Sequence, residues 1–183
     1  MARVLVACEF TGIVRQAFAV RGHDVWSCNL LPSEQPGQHI QGDVLAVLGE
    51  GWDIMLAFPP CTHLATSGAR WFARKRPQQE AALDFVRQLL EAPIPRICLE
   101  NPLGVISSRI RPADQLIEPW EYGHQEMKRT CLWLKNLPYL QPTCLVWPRE
   151  QKVWHNTKGE RRRGQDRSRS YPGIALAMST QWG

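Results

Sequence analysis

Residues 52–63 read Trp-Asp-Ile-Met-Leu-Ala-Phe-Pro-Pro-Cys-Thr-His, an apolar run that stops at two prolines and opens into a polar loop. The unbroken apolarity of residues 52–58 predicts a strand buried on both faces, as in a parallel sheet covered by helices. Two consecutive prolines hold the exiting chain extended and stiff, so Cys61 is delivered where a buried strand meets solvent. In open α/β sheets, ligands and reacting groups gather at the carboxyl ends of the strands. Cys61 therefore reads as a positioned nucleophile, against the general tendency of a lone cysteine to be an inert core residue.

Working outward, residues 3–7 form a short β-branched run, followed by the turn Cys8-Glu9-Phe10-Thr11-Gly12 and a helical pattern over residues 13–22 that Gly22 stops. Residues 24–28 read as a second strand. A Pro- and Gln-rich loop from Leu31 to Gln38 and a short motif over residues 39–48 come next. Ala82, Phe85, Val86, Leu89 and Leu90 recur at helical spacing before Pro93, and residues 96–100 form another strand. Strands alternating with helices predict an α/β fold with a doubly wound, mostly parallel, Rossmann-like sheet. After Pro112 the pattern shortens to strands such as residues 130–134 and Pro-punctuated loops, read as sheet edge. Residues 171–182 predict a closing helix that packs back on the body.

At 183 residues the chain suits one domain with appendages. The reading is a core over residues 1–148, a basic nucleic-acid-binding loop over 149–170 and the helix over 171–183. No apolar stretch approaches the roughly 20 residues needed to span a bilayer, and the first ten residues lack a signal-peptide layout, so a cytoplasmic protein without membrane association is expected. Six cysteines at 8, 28, 61, 98, 131 and 144 include no CxxC pair and no zinc-type cluster, which predicts reduced thiols and no metal. The net charge is +5. Residues 149–169 hold eight Lys or Arg against three acidic residues, while the rest of the chain balances at fourteen of each sign. Such an arm, with Arg161, Arg162, Arg163, Arg167 and Arg169, suits phosphate contacts that release counterions. Trp147 and Trp154 beside it are placed to stack on bases or simply to pack.

Three features fall at strand ends in chain order: Glu9-Phe10-Thr11-Gly12, Pro59-Pro60-Cys61 and Glu100-Asn101-Pro102. The first turn, with its single glycine, can aim backbone N–H groups at an anionic or dipolar ligand, though it is no complete GxGxxG fingerprint. Together with Gly42-Asp43-Val44, this ordered set resembles the motif series of the DNA cytosine-5 methyltransferases, over about residues 3–135. It is most similar to small phage-type members with Pro-Pro-Cys in place of Pro-Cys-Gln. The resemblance implies S-adenosyl-L-methionine as cofactor, DNA as partner and base flipping as the route to the target. It implies a cofactor site built from Phe10, Thr11, Gly12, Asp43, Val44, Pro59 and Pro60, with Asp43 accepting from the adenine amino group. It further implies Cys61 as nucleophile, Glu100 as the acid at the ring nitrogen and Asn101 as its orienting partner. Lys128 and Arg129 stand where the family's basic motif would lie.

The chemistry asks for these residue types. Carbon 5 of cytosine is too electron-poor to accept a methyl group until a thiolate adds at carbon 6, and that addition is helped by a carboxyl group with a raised pKa at N3. The chain departs from the family at two places. Asn29 occupies the position of the acidic residue that holds the cofactor ribose, with Asn29 itself or Glu34 as the substitute in the cofactor site. Roughly forty residues separate the basic motif from the last helix, a surface that reads few bases, so short or relaxed sequence specificity is expected. Amino-group methyltransferases place an acceptor before the Pro-Pro step, where this chain has Phe58. Cytosine modification of RNA or a free nucleotide, and a non-catalytic nucleic-acid-binding relative, stay open as alternatives.

Overall fold

A computed structural model of the chain describes residues 1–150 and 169–183, apart from the side chains of residues 70–73. Arg161, Arg162, Arg163 and Arg167, and with them most of the basic loop, lie outside the described residues. The β-branched and apolar runs form parallel strands β1 (Arg3–Ala7), β2 (Asp24–Asn29), β3 (His39–Gln41), β4 (Ile54–Ala57) and β5 (Arg96–Pro102). Two further strands, β6 (Gln115–Ile117) and β7 (Thr130–Lys135), complete a seven-stranded sheet of order β3-β2-β1-β4-β5-β7-β6. Strand β7 is antiparallel to both of its neighbours, and the other pairings are parallel. The α/β class and the mostly parallel, doubly wound sheet expected from sequence are those observed.

Helices α1 (Ile13–Ala19) and α4 (Pro172–Trp182) cover one face of this sheet, and α2 (Arg76–Leu90) covers the other; α3 is a single turn, Ile106–Arg109. The period of two along each strand divides the core accordingly. Val4, Val6, Ile54, Leu56, Cys98 and Leu132 pack against Val14, Phe18, Met178 and Trp182. Leu5, Ala7, Met55, Ala57, Ile97 and Leu99 pack against Leu83, Val86 and Leu89. Both faces are covered, so the central strands read as continuous apolar runs.

Two elements are shorter than the sequence suggested. Strand β4 begins at Ile54 because Asp53 turns its carboxylate to the Arg3 amide at 2.7 Å. Helix α1 stops at Ala19 because the Arg21 and Gly22 amides reach back only three residues, to Phe18 and Ala19, tightening the last turn. The strand order reverses between β1 and β4, which opens a crevice at their carboxyl ends. Among the described residues, no helix is long and apolar enough to cross a membrane.

The closing helix is integral to this core rather than an appendage. Trp182 is 2% exposed and its indole N–H donates to the Pro138 carbonyl at 3.0 Å, while Arg96 of β5 donates to the Trp182 carbonyl. Replacing Trp182 with Ala is expected to lower stability by about 3–5 kcal/mol. Urea denaturation should show a lower midpoint with an unchanged slope; a shift within error of zero would mean that α4 is dispensable to the core.

Candidate active site at the carboxyl edge of the sheet

Phe58 continues the β1–β4 ladder by one residue, its amide donating to Ala7 at 3.0 Å, and the two prolines then end the pairing because they carry no N–H. Pro59 is buried, and its carbonyl accepts a 2.8 Å hydrogen bond from the Asn101 side-chain amide. Two residues on, the carbonyl of Cys61 accepts from the Leu64 and Ala65 amides, so the chain turns sharply at the thiol. The loop after β4 is then stitched to the loop after β5. Val105 donates to Leu64, Thr66 donates to Leu103, and Ala65 bridges Gly104. A Cβ on Gly104 would lie 2.0 Å from the Leu64 carbonyl oxygen, so this crossing requires glycine. The Cys61 side chain is half-buried and in no disulfide.

Glu100 follows Leu99, the register partner of Ala57, and so stands on the strand next to the one that delivers Cys61. Its carboxylate accepts the hydroxyl of Thr130 from β7. Burial raises the Glu100 pKa above the ordinary carboxylate range, and the Lys128 ammonium and the Thr130 hydroxyl pull it part of the way back. This is a carboxyl group disposed to hold a proton.

The Asn101 side chain donates to the Pro59 carbonyl, and Glu100 accepts from Thr130. Residues alternate across β5, so Glu100 shares its face with Cys98 and Asn101 shares its face with Leu99. The Asn101 amide accordingly orients the Pro59-Pro60-Cys61 turn, and the group that orients Glu100 is Thr130, which sequence reasoning missed. Asn101 is 1% exposed and its Oδ1 has no hydrogen-bond partner, a buried acceptor left over beside the Cys61 turn.

The other cysteines are unsuited to nucleophilic work. Burial pushes the thiol of Cys8 up to about 12 and those of Cys28 and Cys131 up to about 11, and it also raises that of Cys98 well above the ordinary thiol value. Cys144 lies exposed on a different loop. Among the described residues, no group of three or more His, Cys, Asp or Glu is arranged to hold a metal ion.

The turn after β1 also differs from expectation. Its helix-end amides are not turned outward, because the buried Glu9 carboxylate accepts from Val14 at 2.7 Å and Arg15 at 3.2 Å, and from the Thr11 hydroxyl at 3.2 Å. Burial raises the Glu9 pKa, and these bonds lower it. Phe10 is 9% exposed with its carbonyl accepting from the Glu34 amide, and Gly12 takes a left-handed φ of 75° to start α1. Arg15, buried beneath, binds Ser27, Ser33 and the carbonyls of Gln35, Pro36 and Gln38, locking the loop after β2.

Asn29 uses its Oδ1 to accept from Leu31 and shape that loop. Glu34 receives both terminal nitrogens of Arg169, at 2.6 and 2.8 Å. Asp43 is exposed and its Oδ1 caps the turn Val44–Val47 by accepting from Leu45; Val44 is buried and Pro60 exposed. Phe10, Asp43, Pro59 and Pro60 thus border one edge, that of β1, β3 and β4. Of the basic residues, Lys128 lies beside Glu100 and 5.4 Å from the Tyr171 ring, and Arg129 is paired with Glu118 at 3.0 Å. Arg169 sits across the edge at Glu34. Glu9 and Gly104 were the other residues passed over. Their signal was present: an acid just after a strand and before a helix, and a glycine just past Glu100-Asn101-Pro102.

No protein-family model matches the chain, and no curated protein sequence matches it. Among solved structures, the chain is similar to a prophage-encoded E. coli protein assigned as a DNA modification methyltransferase, with a TM-score of 0.53 at 14% identity. That match covers 86% of this chain, and the chain spans 56% of the other's length. Matches at a TM-score of 0.40 include a 16S rRNA methylase (16% identity, 73% of this chain, 55% of that one) and an rRNA methylase from Escherichia coli (15%, 73% and 57%). The seven-stranded sheet is thus the Rossmann-like fold found in the prophage-encoded protein.

The raised pKa of Glu100 carries a sign for stability. A carboxyl group whose folded-state pKa lies above its unfolded value stabilises the fold at low pH and loses that contribution as pH rises through the folded value. Glu100→Gln removes the buried charge while keeping an acceptor for Thr130. At about pH 8 the variant is expected to match or exceed wild-type stability, the gap closing as pH falls below the ordinary carboxylate value of about 4.3. Urea midpoints across that range check this; a variant less stable at high pH than at low pH, relative to wild type, would contradict it.

Proposed function

We propose that the chain transfers a methyl group from S-adenosyl-L-methionine to carbon 5 of cytosine in DNA, through a transient bond between Cys61 and carbon 6. The observation that carries the reading is the pairing of a half-exposed thiol and a proton-holding carboxyl group at adjoining strand ends of a methyltransferase-type sheet, joined by the Asn101–Pro59 hydrogen bond.

The sulfur of Cys61, as thiolate, forms a bond to carbon 6, and the electrons of the 5,6 double bond are pushed toward carbon 5 as the Glu100 carboxyl gives its proton to N3. When bound, the donor's sulfonium supplies an electrophilic methyl group. Once carbon 5 has given up its proton to solvent, the double bond reforms, the sulfur–carbon bond breaks and Glu100 recovers the N3 proton. Thr130 and Lys128 hold the carboxyl group in place; Asn101 holds the turn that presents the thiol. Phe10, Thr11, Gly12, Val44, Pro59 and Pro60 are the residues that would hold the cofactor, with Asp43 at its adenine. The exposed carboxylate of Asp43 borders that edge and suits a cationic donor. With Asn29 occupied in its turn and Glu34 held by Arg169, the ribose hydroxyls would draw on Glu34 only after Arg169 lets go. Lys128, Arg129, Arg161, Arg162, Arg163, Arg167 and Arg169 would meet the phosphates, and extruding the base costs a few kcal/mol.

Cys61→Ser is expected to abolish turnover while leaving donor affinity unchanged. Transfer of labelled methyl groups to duplex DNA, with RNA and a cytidine nucleotide as competitors, measures the first; calorimetry with the donor measures the second. Full activity in the serine variant, or labelling of RNA or nucleotide in preference to DNA, would contradict the proposal.

A further inference from the structure

Residues 118–129 and 143–150 form a small hydrogen-bonded appendage next to the N-terminal end of β7. Thr143 and Cys144 donate to Glu121, Val146 donates to Trp120, Glu150 donates to Gln125, and Met127 donates to Glu150. The Arg149 guanidinium lies between two indoles, 3.5 Å from the Trp120 ring centre and 4.0 Å from that of Trp147. Its Nε is buried without a hydrogen-bond partner, so stacking rather than hydrogen bonding at Nε holds it there. Trp120 is fixed in turn, its N–H donating to Glu118 at 2.6 Å, and the other Glu118 oxygen accepts from Arg129 at 3.0 Å. Arg129 adjoins Lys128, the residue whose charge acts on Glu100. The stack is therefore built from the same short segment that reaches the candidate active site.

Trp147 tops this stack and is 70% exposed. A large aromatic left in water on a rigid, hydrogen-bonded support is a surface in want of a partner. The cation beneath it decides what kind. An arginine-backed indole at the start of a segment with eight basic residues against three acidic ones favours a polyanion that carries flat rings. We propose that Trp147, backed by Arg149 and Trp120, is a stacking platform for an unpaired base of the DNA whose cytosine enters the site. This rests on the nucleic-acid reading above and adds to it a residue that grips by ring contact, outside the phosphate-binding residues.

The test uses the full chain without donor, so that it is independent of methyl transfer. A fluorescein-labelled duplex with one unpaired base, and a single strand of the same sequence, are titrated with wild type, Trp147→Ala and Trp147→Phe. The alanine variant is expected to bind roughly ten- to hundredfold more weakly, the phenylalanine variant to recover most of the loss, and the dependence of log K on log salt to keep its slope, because no phosphate contact is removed. That result would support the platform even if cytosine were never methylated. Unchanged affinity in the alanine variant would overturn it, as would equal weakness of the phenylalanine variant. So would sedimentation showing that the alanine change acts by dissociating copies of the chain.

Discussion

One buried hydrogen bond, from the amide of Asn101 to the carbonyl of Pro59, ties together the two strand ends on which the site depends. Pro59 lies at the point where β4 has run out of ladder partners, and proline cannot donate one of its own. Without an outside donor its buried carbonyl would be left unsatisfied, at a cost of about 1–3 kcal/mol. Asn101 supplies that donor from the neighbouring strand, adjacent in sequence to Glu100. The residue that holds the Cys61 turn therefore adjoins the acid itself in sequence. The stitching of Leu64 and Thr66 to Leu103 and Val105, over a glycine at 104, extends the same coupling outward.

The electrostatics of the edge follow from depth. Four of the six cysteines lie in or just beyond the strands with their thiols raised by burial, which leaves Cys61 and Cys144 as the thiols outside the sheet, and of these two Cys61 follows the strand that pairs with the one bearing Glu100. Glu100 is subject to the same burial and responds in the opposite chemical sense, by favouring its neutral, proton-bearing form. Lys128 and Thr130 moderate that shift without cancelling it. A group held in this way is costly when ionised. Glu9 is comparable in depth but is engaged by α1, so its carboxylate belongs to the architecture of the crevice.

Much of this was legible in the chain before folding. The unbroken apolar runs at residues 54–57 and 97–99 identify strands covered on both faces, and two prolines after the first of them fix where Cys61 must emerge. The helix over Arg76–Leu90 announces itself by spacing. What could not be read is what each side chain finds on its own face. Alternation along β5 separates Glu100 from Asn101, but the partner of Glu100 is Thr130, thirty positions on in a strand whose place between β5 and β6 only the assembled sheet reveals. At the turn after β1 the sequence likewise does not show that the Glu9 carboxylate and the Val14 and Arg15 amides serve each other. The aromatic stack at Trp120, Arg149 and Trp147 depends on a pairing of two loops that carries no periodic signal at all.

The central claim is that the sulfur of Cys61 bonds to carbon 6 of cytosine while the Glu100 carboxyl supports the ring nitrogen. DNA containing 5-fluorocytosine tests this directly, because after methyl transfer carbon 5 bears fluorine in place of a removable proton and the sulfur–carbon bond cannot break. Incubation with S-adenosyl-L-methionine should give a denaturant-resistant complex whose peptide mass spectrum places the nucleotide on residue 61. Absence of any adduct under conditions where ordinary cytosine is methylated, or an adduct on a different cysteine, would contradict the account.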